Sequence, residues 1–317
     1  MSQLPRRMLG RTGLQISILG FGSLELRGIV GGIGRPIDDH QAKTILNAVL
    51  DAGINYIDTS VDYGRAEEQI GKFISGRRNE FILASKCGCP PDISIFAPEE
   101  RTRYGVPLPR LHDYSRTNII STLDQTLSRL KTDYLDVLQL HFSPSIEILQ
   151  QEDAVETLTL LKQEGKIRFI GCSSILPNVI DHINLGVFDV LQIPYSKLQP
   201  EHEYALHLAA EAGIGTVIRG GVAKGLPNQG HASDDAWRLW EKANIDELIG
   251  DMTRIEFLLR LTISNPDVHT TIIGTLNSQH LNNNIAAASS GALPIELYQE
   301  VSDRLSKAIE APLSKPA

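Results

Sequence analysis

One joint recurs along the chain: a helix-forming run ends at a glycine, and strand formers follow at once. It stands at Ala52-Gly53-Ile54, at Glu164-Gly165-Lys166-Ile167 and at Ala212-Gly213-Ile214. Glycine takes the left-handed conformation that closes a helix without steric cost, so each of these marks a stop followed by an immediate restart. Helix, glycine, strand is therefore a repeated unit, and it constrains the fold more than any other feature. Apolar runs read as strands near 17–20, 54–58, 80–86, 134–141, 166–172, 188–193, 214–218 and 270–274, with helical periodicity between them. Alternating strands and helices imply a parallel sheet. Eight of each imply closure into a (β/α)8 TIM barrel in place of an open doubly wound sheet. All 317 residues are expected in a single domain, because barrels reach this length undivided.

The segments outside that count have their own signals. Arg7 to Ile16 holds two short strand-like pieces around a glycine-containing turn, which predicts an N-terminal β-hairpin. Asp38, with Gln41 three residues on, predicts a capped helix running to Ala52. Long loops at 24–37, 87–114 and 220–252 follow strand ends and are expected to shape a pocket at the C-terminal face. A net charge of −8 with no basic stripe argues against nucleic acid and leaves small molecules as the expected partners. Three cysteines, Cys87, Cys89 and Cys172, are too few for a disulfide framework, so a cytoplasmic location is expected. No apolar run approaches the length of a membrane span, and Arg6-Arg7 has no apolar stretch behind it to make a leader. Oligomeric state is not legible.

Three strands finish in ionisable groups. The run Gly53 to Ile57 ends in Asp58, with Tyr63 five residues later; Phe81 to Ser85 ends in Lys86; Leu135 to Leu140 ends in His141. Parallel strands deliver their C-terminal ends to one face, so these four groups are expected to share a pocket. A buried Asp58 needs a cation, and Lys86 offers one. Glycine-rich stretches at 20–22 and 31–34 lack the strand, turn, helix spacing of a dinucleotide loop. Cys87-Gly88-Cys89 lacks a second ligand pair, so no metal is expected there, and His112 is expected at the surface, with a place on the substrate pocket as the alternative.

Asp58, Tyr63, Lys86 and His141, together with LGRTGLQIS, GINYIDTSVDYG, TDYLDVLQLH, EGKIRFIGCSS and IIGTLNSQHLNNN, resemble the aldo-keto reductases over nearly the whole chain. The resemblance implies an NAD(P)H-dependent oxidoreductase that transfers hydride between a nicotinamide and an aldehyde or ketone. Hydride addition leaves charge on the carbonyl oxygen, so Tyr63 would serve as general acid, Lys86 would favour its phenolate, Asp58 would hold Lys86 charged, and His141 would donate to the substrate oxygen. The rivals are an NAD-linked dehydrogenase of a sugar or similar alcohol, and a nucleotide-binding redox-sensing subunit with slow turnover.

The resemblance also implies cofactor contacts. It assigns Gly22, Ser23 and Asp58 to the cofactor, and Ser173, Ser174 and Gln192 to the nicotinamide carboxamide, with Ser174 standing where the family usually has Asn. Arg219 takes the place of a stacking aromatic residue, and Gly220, Gly221 and Val222 open a loop that closes over the pyrophosphate. Gly274, Thr275 and Asn277 lead into a helix whose amides favour phosphate, and His280, Asn283 and Asn284 reach the adenosine end. Leu276 and His280 stand where NADPH-preferring members carry basic residues. NADP(H) is nevertheless expected to be modestly preferred, with NAD(H) not excluded.

Overall fold

The computed structural model describes residues 4–30, 33–89, 112–226 and 234–310. The chain opens with the expected antiparallel hairpin, β1 (Arg6–Met8) and β2 (Gln15–Ser17). β3 (Leu19–Gly22) starts the barrel, and a short ribbon of β4 (Ile29–Val30) and β5 (Ile33–Gly34) lies in the loop after it. The other barrel strands are β6 (Tyr56–Asp58), β7 (Ile82–Cys87), β8 (Leu135–Leu140), β9 (Ile167–Ser173), β10 (Val190–Pro194), β11 (Gly215–Arg219) and β12 (Thr270–Ile273). They run in sequence order from β3 to β12, all parallel, and β12 closes on β3.

Helices α1 (Asp39–Asp51), α2 (Ala66–Phe73), α3 (Arg116–Leu130), α4 (Ile146–Gln151), α5 (Ala154–Gln163), α6 (Asn178–Leu185) and α7 (Glu203–Glu211) cover the first strands. After β11 come α8 (Asp234–Lys242) and α9 (Arg254–Ser264), and after β12 come α10 (Ser278–Ser289) and α11 (Ile295–Glu310). Asp38 caps α1 by accepting from Gln41 N at 2.7 Å, as its spacing predicts. The repeated joint closes in one way each time. Gly53, Gly165 and Gly213 take φ of 83°, 75° and 71°. Ile54, Lys166 and Ile214 then donate back to Val49, Leu161 and Ala209, and each glycine donates to the carbonyl three residues before it. These paired bonds satisfy the last helical carbonyls and aim the chain into the next strand.

Strand side chains alternate between the barrel interior and the helical shell. Outward residues such as Leu19, Phe21, Ile57, Leu83, Leu138, Leu191 and Ile218 join one core with the helices. Inward residues Tyr56, Ile82, Ala84, Val137, Val190 and Val217 form a second core, closed from below by Leu9, Leu14 and Ile16 of the hairpin region. The hairpin therefore plugs the N-terminal end and leaves the C-terminal end for chemistry.

The stretch 220–252 differs from its reading as a loop, since it contains α8. Ala236, Trp237 and Trp240 of α8 are buried against Phe257, Leu258 and Leu261 of α9 and Val301 and Leu305 of α11, with the Trp240 and Phe257 rings 5.8 Å apart. That stripe is short and stands among charged residues, so its periodicity is faint in sequence and its stability comes from tertiary burial. Most of the expected loop 87–114 lies outside the described residues, and Cys87 belongs to β7.

Candidate active site

Towards the top of the barrel the inward positions change from apolar to polar. Above Tyr56 comes Asp58, above Ala84 comes Lys86, above Val137 comes Gln139, and above Val190 comes Gln192. Lys86 Nζ donates to Asp58 Oδ2 at 2.6 Å and to the Thr59 carbonyl at 2.7 Å. The other carboxylate oxygen, Oδ1, accepts from Gln192 Nε2 at 2.8 Å and from Gln139 Nε2 at 3.1 Å. Asp58 thus has an ammonium on one oxygen and two amides on the other, which is what a buried carboxylate requires. Gln139 reaches it because Gly171 on the next strand has no side chain. A Cβ built at Gly171 would stand 2.8 Å from Gln139 Cγ.

The Lys86 side chain is 0% exposed. Burial pulls its ammonium down, but Asp58 and Tyr63 together pull it up further, and the net shift is upward. Its Nζ lies 4.8 Å from the centroid of the Tyr63 ring. Tyr63 itself is pushed up to about 12, because burial of the phenol outweighs the nearby ammonium, which acts in the opposite sense. Lys86 acts in the expected direction, lowering a value that desolvation raises.

His141 closes the group. Its ring meets that of Tyr63 edge-on at 6.2 Å, and its Nδ1 lies 3.1 Å from Cys89 Sγ and 3.6 Å from Asp62 Oδ1. Directly after it, Phe142 and Ser143 take φ of 63° and 54°, so the chain turns sharply and lays the Phe142 ring 4.2 Å from the imidazole. His112 is half-buried and packs 4.5 Å from Phe142, in contrast to its expected surface position.

A cavity of about 1220 Å³ opens above these groups, larger than the usual site for one drug-sized ligand. Of the residues expected at the site, its wall includes Asp58, Tyr63, His141, Gly22, Gln192, Arg219, Gly220, Gly221, Val222, Gly274, Thr275, His280, Asn283 and Asn284. Lys86 lies behind Asp58 and Tyr63. Ser23, Ser173, Ser174 and Asn277 stand off the wall. Ser174 is turned to His182 Nδ1 at 2.7 Å, Ser173 Oγ reaches Gln192 Oε1 at 3.5 Å, and Asn277 caps α10 by accepting from Gln279 N and His280 N. Sequence reasoning missed Gln139, Asp62, Cys89 and Phe142. Gln139 was within reach, since period-two alternation from His141 places it inside.

The residues present fit a nicotinamide dinucleotide. Arg219 lines the cavity and has no ion-pair or side-chain hydrogen-bond partner among the described residues, so a partly buried guanidinium faces a space suited to an anion or a flat ring. α10 borders the same cavity through His280, Asn283 and Asn284, while Asn277 already accepts from its Gln279 and His280 amides. At its floor, Gly274 packs on β3, where a Cβ would meet the Gly22 carbonyl at 2.7 Å.

Comparison with known proteins agrees with this geometry. The sequence model of the Aldo/keto reductase family matches residues 18–305, and the chain belongs to that family. The uncharacterized oxidoreductase YqkF of Bacillus subtilis is 32% identical over 92% of this chain and 93% of its own length. L-galactose dehydrogenase of Arabidopsis thaliana is 27% identical, covering 91% of this chain and 89% of its own. Among solved structures, the holo form of the aldo-keto reductase AKR11C1 from Bacillus halodurans superposes with a TM-score of 0.79 at 30% identity, covering 95% of this chain and 96% of that one. The protein is an oxidoreductase of a family that uses nicotinamide cofactors. Among the described residues, no helix is long and apolar enough to cross a membrane.

Proposed function

We propose that this protein reduces an aldehyde or ketone with NADPH, with Tyr63 as the proton donor. The observation that carries this is the buried Lys86 ammonium, held by Asp58 at 2.6 Å and lying 4.8 Å from the Tyr63 ring beside the cavity. A bound nicotinamide supplies the hydride to the carbonyl carbon in this direction and accepts it in the other. The Tyr63 hydroxyl gives its proton to the oxygen as negative charge develops there, which completes the alcohol. Lys86 then stabilises the phenolate left behind, and Asp58 keeps the ammonium aimed. A His141 tautomer with the proton on Nε2 and Nδ1 turned to the Cys89 thiol would present the donor a substrate oxygen needs. Arg219, His280, Asn283 and Asn284 would hold the dinucleotide, and Gly220 to Val222 would close over its phosphates. The compartment consistent with three free, buried cysteines is the cytosol.

A phenol held at about 12 is in its donor form at neutral pH, as reduction requires. L-galactose dehydrogenase among the relatives favours the opposite direction, as does Leu276 where a 2′-phosphate would want a cation. The deciding experiment is steady-state kinetics on a panel of aldehydes and sugars with NADPH and NADH, in wild type and Leu276→Arg. NADPH should be modestly better in wild type and strongly better in Leu276→Arg. Equal or better use of NADH by wild type, with sugar oxidation the fastest reaction, would make the dehydrogenase the better account. Negligible turnover across the panel despite tight cofactor binding would favour the redox-sensing subunit.

A further inference from the structure

Asp62, Cys89 and His141 come from three separate segments, and the proposed chemistry uses only the histidine. Their donor atoms, a carboxylate oxygen, a thiol sulfur and an imidazole Nδ1, all lie within 4.8 Å of one another. Two of the three separations are 3.1 Å, Nδ1 to Sγ, and 3.6 Å, Nδ1 to Oδ1. Zinc bonds of about 2.0–2.3 Å at tetrahedral angles require ligand atoms roughly 3.4–3.6 Å apart, so one ion fits this triangle with small side-chain adjustments. The chemistry is also suited to it. Thiolate and imidazole select a borderline-soft divalent cation over magnesium or calcium, and two anionic ligands neutralise a doubly charged ion, which a largely buried site demands. Asp62 and His141 line the catalytic cavity while Cys89 lies behind them, so the site borders the space a substrate would occupy.

We propose that Asp62, Cys89 and His141 form a binding site for one zinc-type divalent cation, and that its occupancy inhibits the enzyme. On binding, the Cys89 thiol releases its proton to solvent and coordinates as thiolate, Nδ1 of His141 coordinates through its lone pair, and Asp62 coordinates as carboxylate. Drawing the three atoms to tetrahedral spacing moves the His141 ring and pulls on Asp62, the residue next to Tyr63. Catalytic groups tolerate little displacement: about 1 Å costs on the order of 10²-fold in rate. Among the described residues the other two cysteines belong to no such three-ligand group: Cys87 Sγ faces the Gln139 carbonyl at 3.6 Å, and Cys172 Sγ faces one histidine, His182, at 3.8 Å. Binding stands on the ligand geometry alone, whereas inhibition rests on the oxidoreductase function proposed above.

The test is titration of the tag-free, full-length protein with Co²⁺ and Zn²⁺, followed by absorbance and calorimetry, with carbonyl reduction measured in parallel. Wild type should bind one ion. Co²⁺ should produce a thiolate charge-transfer band that Zn²⁺ displaces, and Zn²⁺ should suppress turnover reversibly, with activity restored by a chelator. Cys89→Ser should lose the band while Cys87 and Cys172 remain. Asp62→Asn should keep the band but bind at least about tenfold more weakly. Both variants are checked for folding by circular dichroism, and either one alone suffices for the comparison. No saturable binding in wild type, or an unchanged band in Cys89→Ser, overturns the site. Binding without inhibition keeps the site and overturns its effect on turnover, whereas an enzyme inactive before any metal is added counts against the proposed function only.

Discussion

Asp58→Asn isolates the charge that holds the catalytic end of the barrel together. The substitution keeps the shape of the side chain but removes the counter-charge of Lys86, whose side chain is 0% exposed and retains the Thr59 carbonyl at 2.7 Å and the Tyr63 phenol beside it. It also disturbs Oδ1, which in wild type accepts from Gln139 and Gln192 at 3.1 and 2.8 Å. Removing one partner of a buried pair costs about 3–5 kcal/mol. For 317 residues unfolding with about 2.1 cal/mol/K each, that is a fall in Tm of roughly 5–8 °C. The loss should depend on pH with a definite sign. In wild type the folded-state value of Lys86 is raised, so its contribution is complete below the ordinary lysine value of 10.5 and disappears as pH rises through the folded value. Without Asp58, burial depresses the lysine instead, and folding must then release its proton or bury its charge. The difference in Tm between wild type and Asp58→Asn should therefore be largest near pH 6 and shrink towards pH 10. Differential scanning calorimetry at pH 6, 8 and 10 measures it. A variant as stable as wild type at pH 6, or a gap that widens with pH, would refute the buried pair as the organising interaction.

Other outcomes follow from the same geometry. With Tyr63 held at about 12, carbonyl reduction should show no alkaline limb from this group between pH 7 and 10, and alcohol oxidation should rise about tenfold per pH unit over that range. Lys86→Met removes the cation that lowers the phenol most, so oxidation at pH 9 should fall further; an oxidation profile that levels off below pH 9 would contradict the assignment. Gly171→Ala should cost about 1–3 kcal/mol by overpacking and lower kcat, because its Cβ would displace Gln139 from Asp58. Gly165→Ala, with φ of 75° and nothing within 4 Å of its Cβ, should cost about 1 kcal/mol and leave kcat alone. Thermal melts and single-turnover rates on the pair separate the two mechanisms.

Much of the fold was legible because its rules are local. The glycine joints fix where helices stop, period-two alternation fixes which strand residues point inward, and the eight-fold count fixes closure. The convergence of Asp58, Lys86 and His141 followed from their places at strand ends. Four kinds of information were not local. Ser174 is one residue past the end of β9 and turns to His182, which position in the sequence does not reveal. The Tyr63 value depends on how burial balances one ammonium, a sum over the whole pocket. Cys89 looked like part of an isolated pair with Cys87, yet Asp62 and His141 reach it from the loops after β6 and β8. The α8 stripe was too short to separate from its loop until α9 and α11 covered it.

The proton donor is the centre of the account, and Tyr63→Phe tests it most directly. Steady-state and single-turnover reduction of an active aldehyde, with cofactor affinity measured by quenching of protein fluorescence, should show kcat reduced by roughly 10²–10⁴ while cofactor binding stays within a few-fold of wild type. A variant that turns over within a few-fold of wild type would remove Tyr63 from the chemistry and contradict the account.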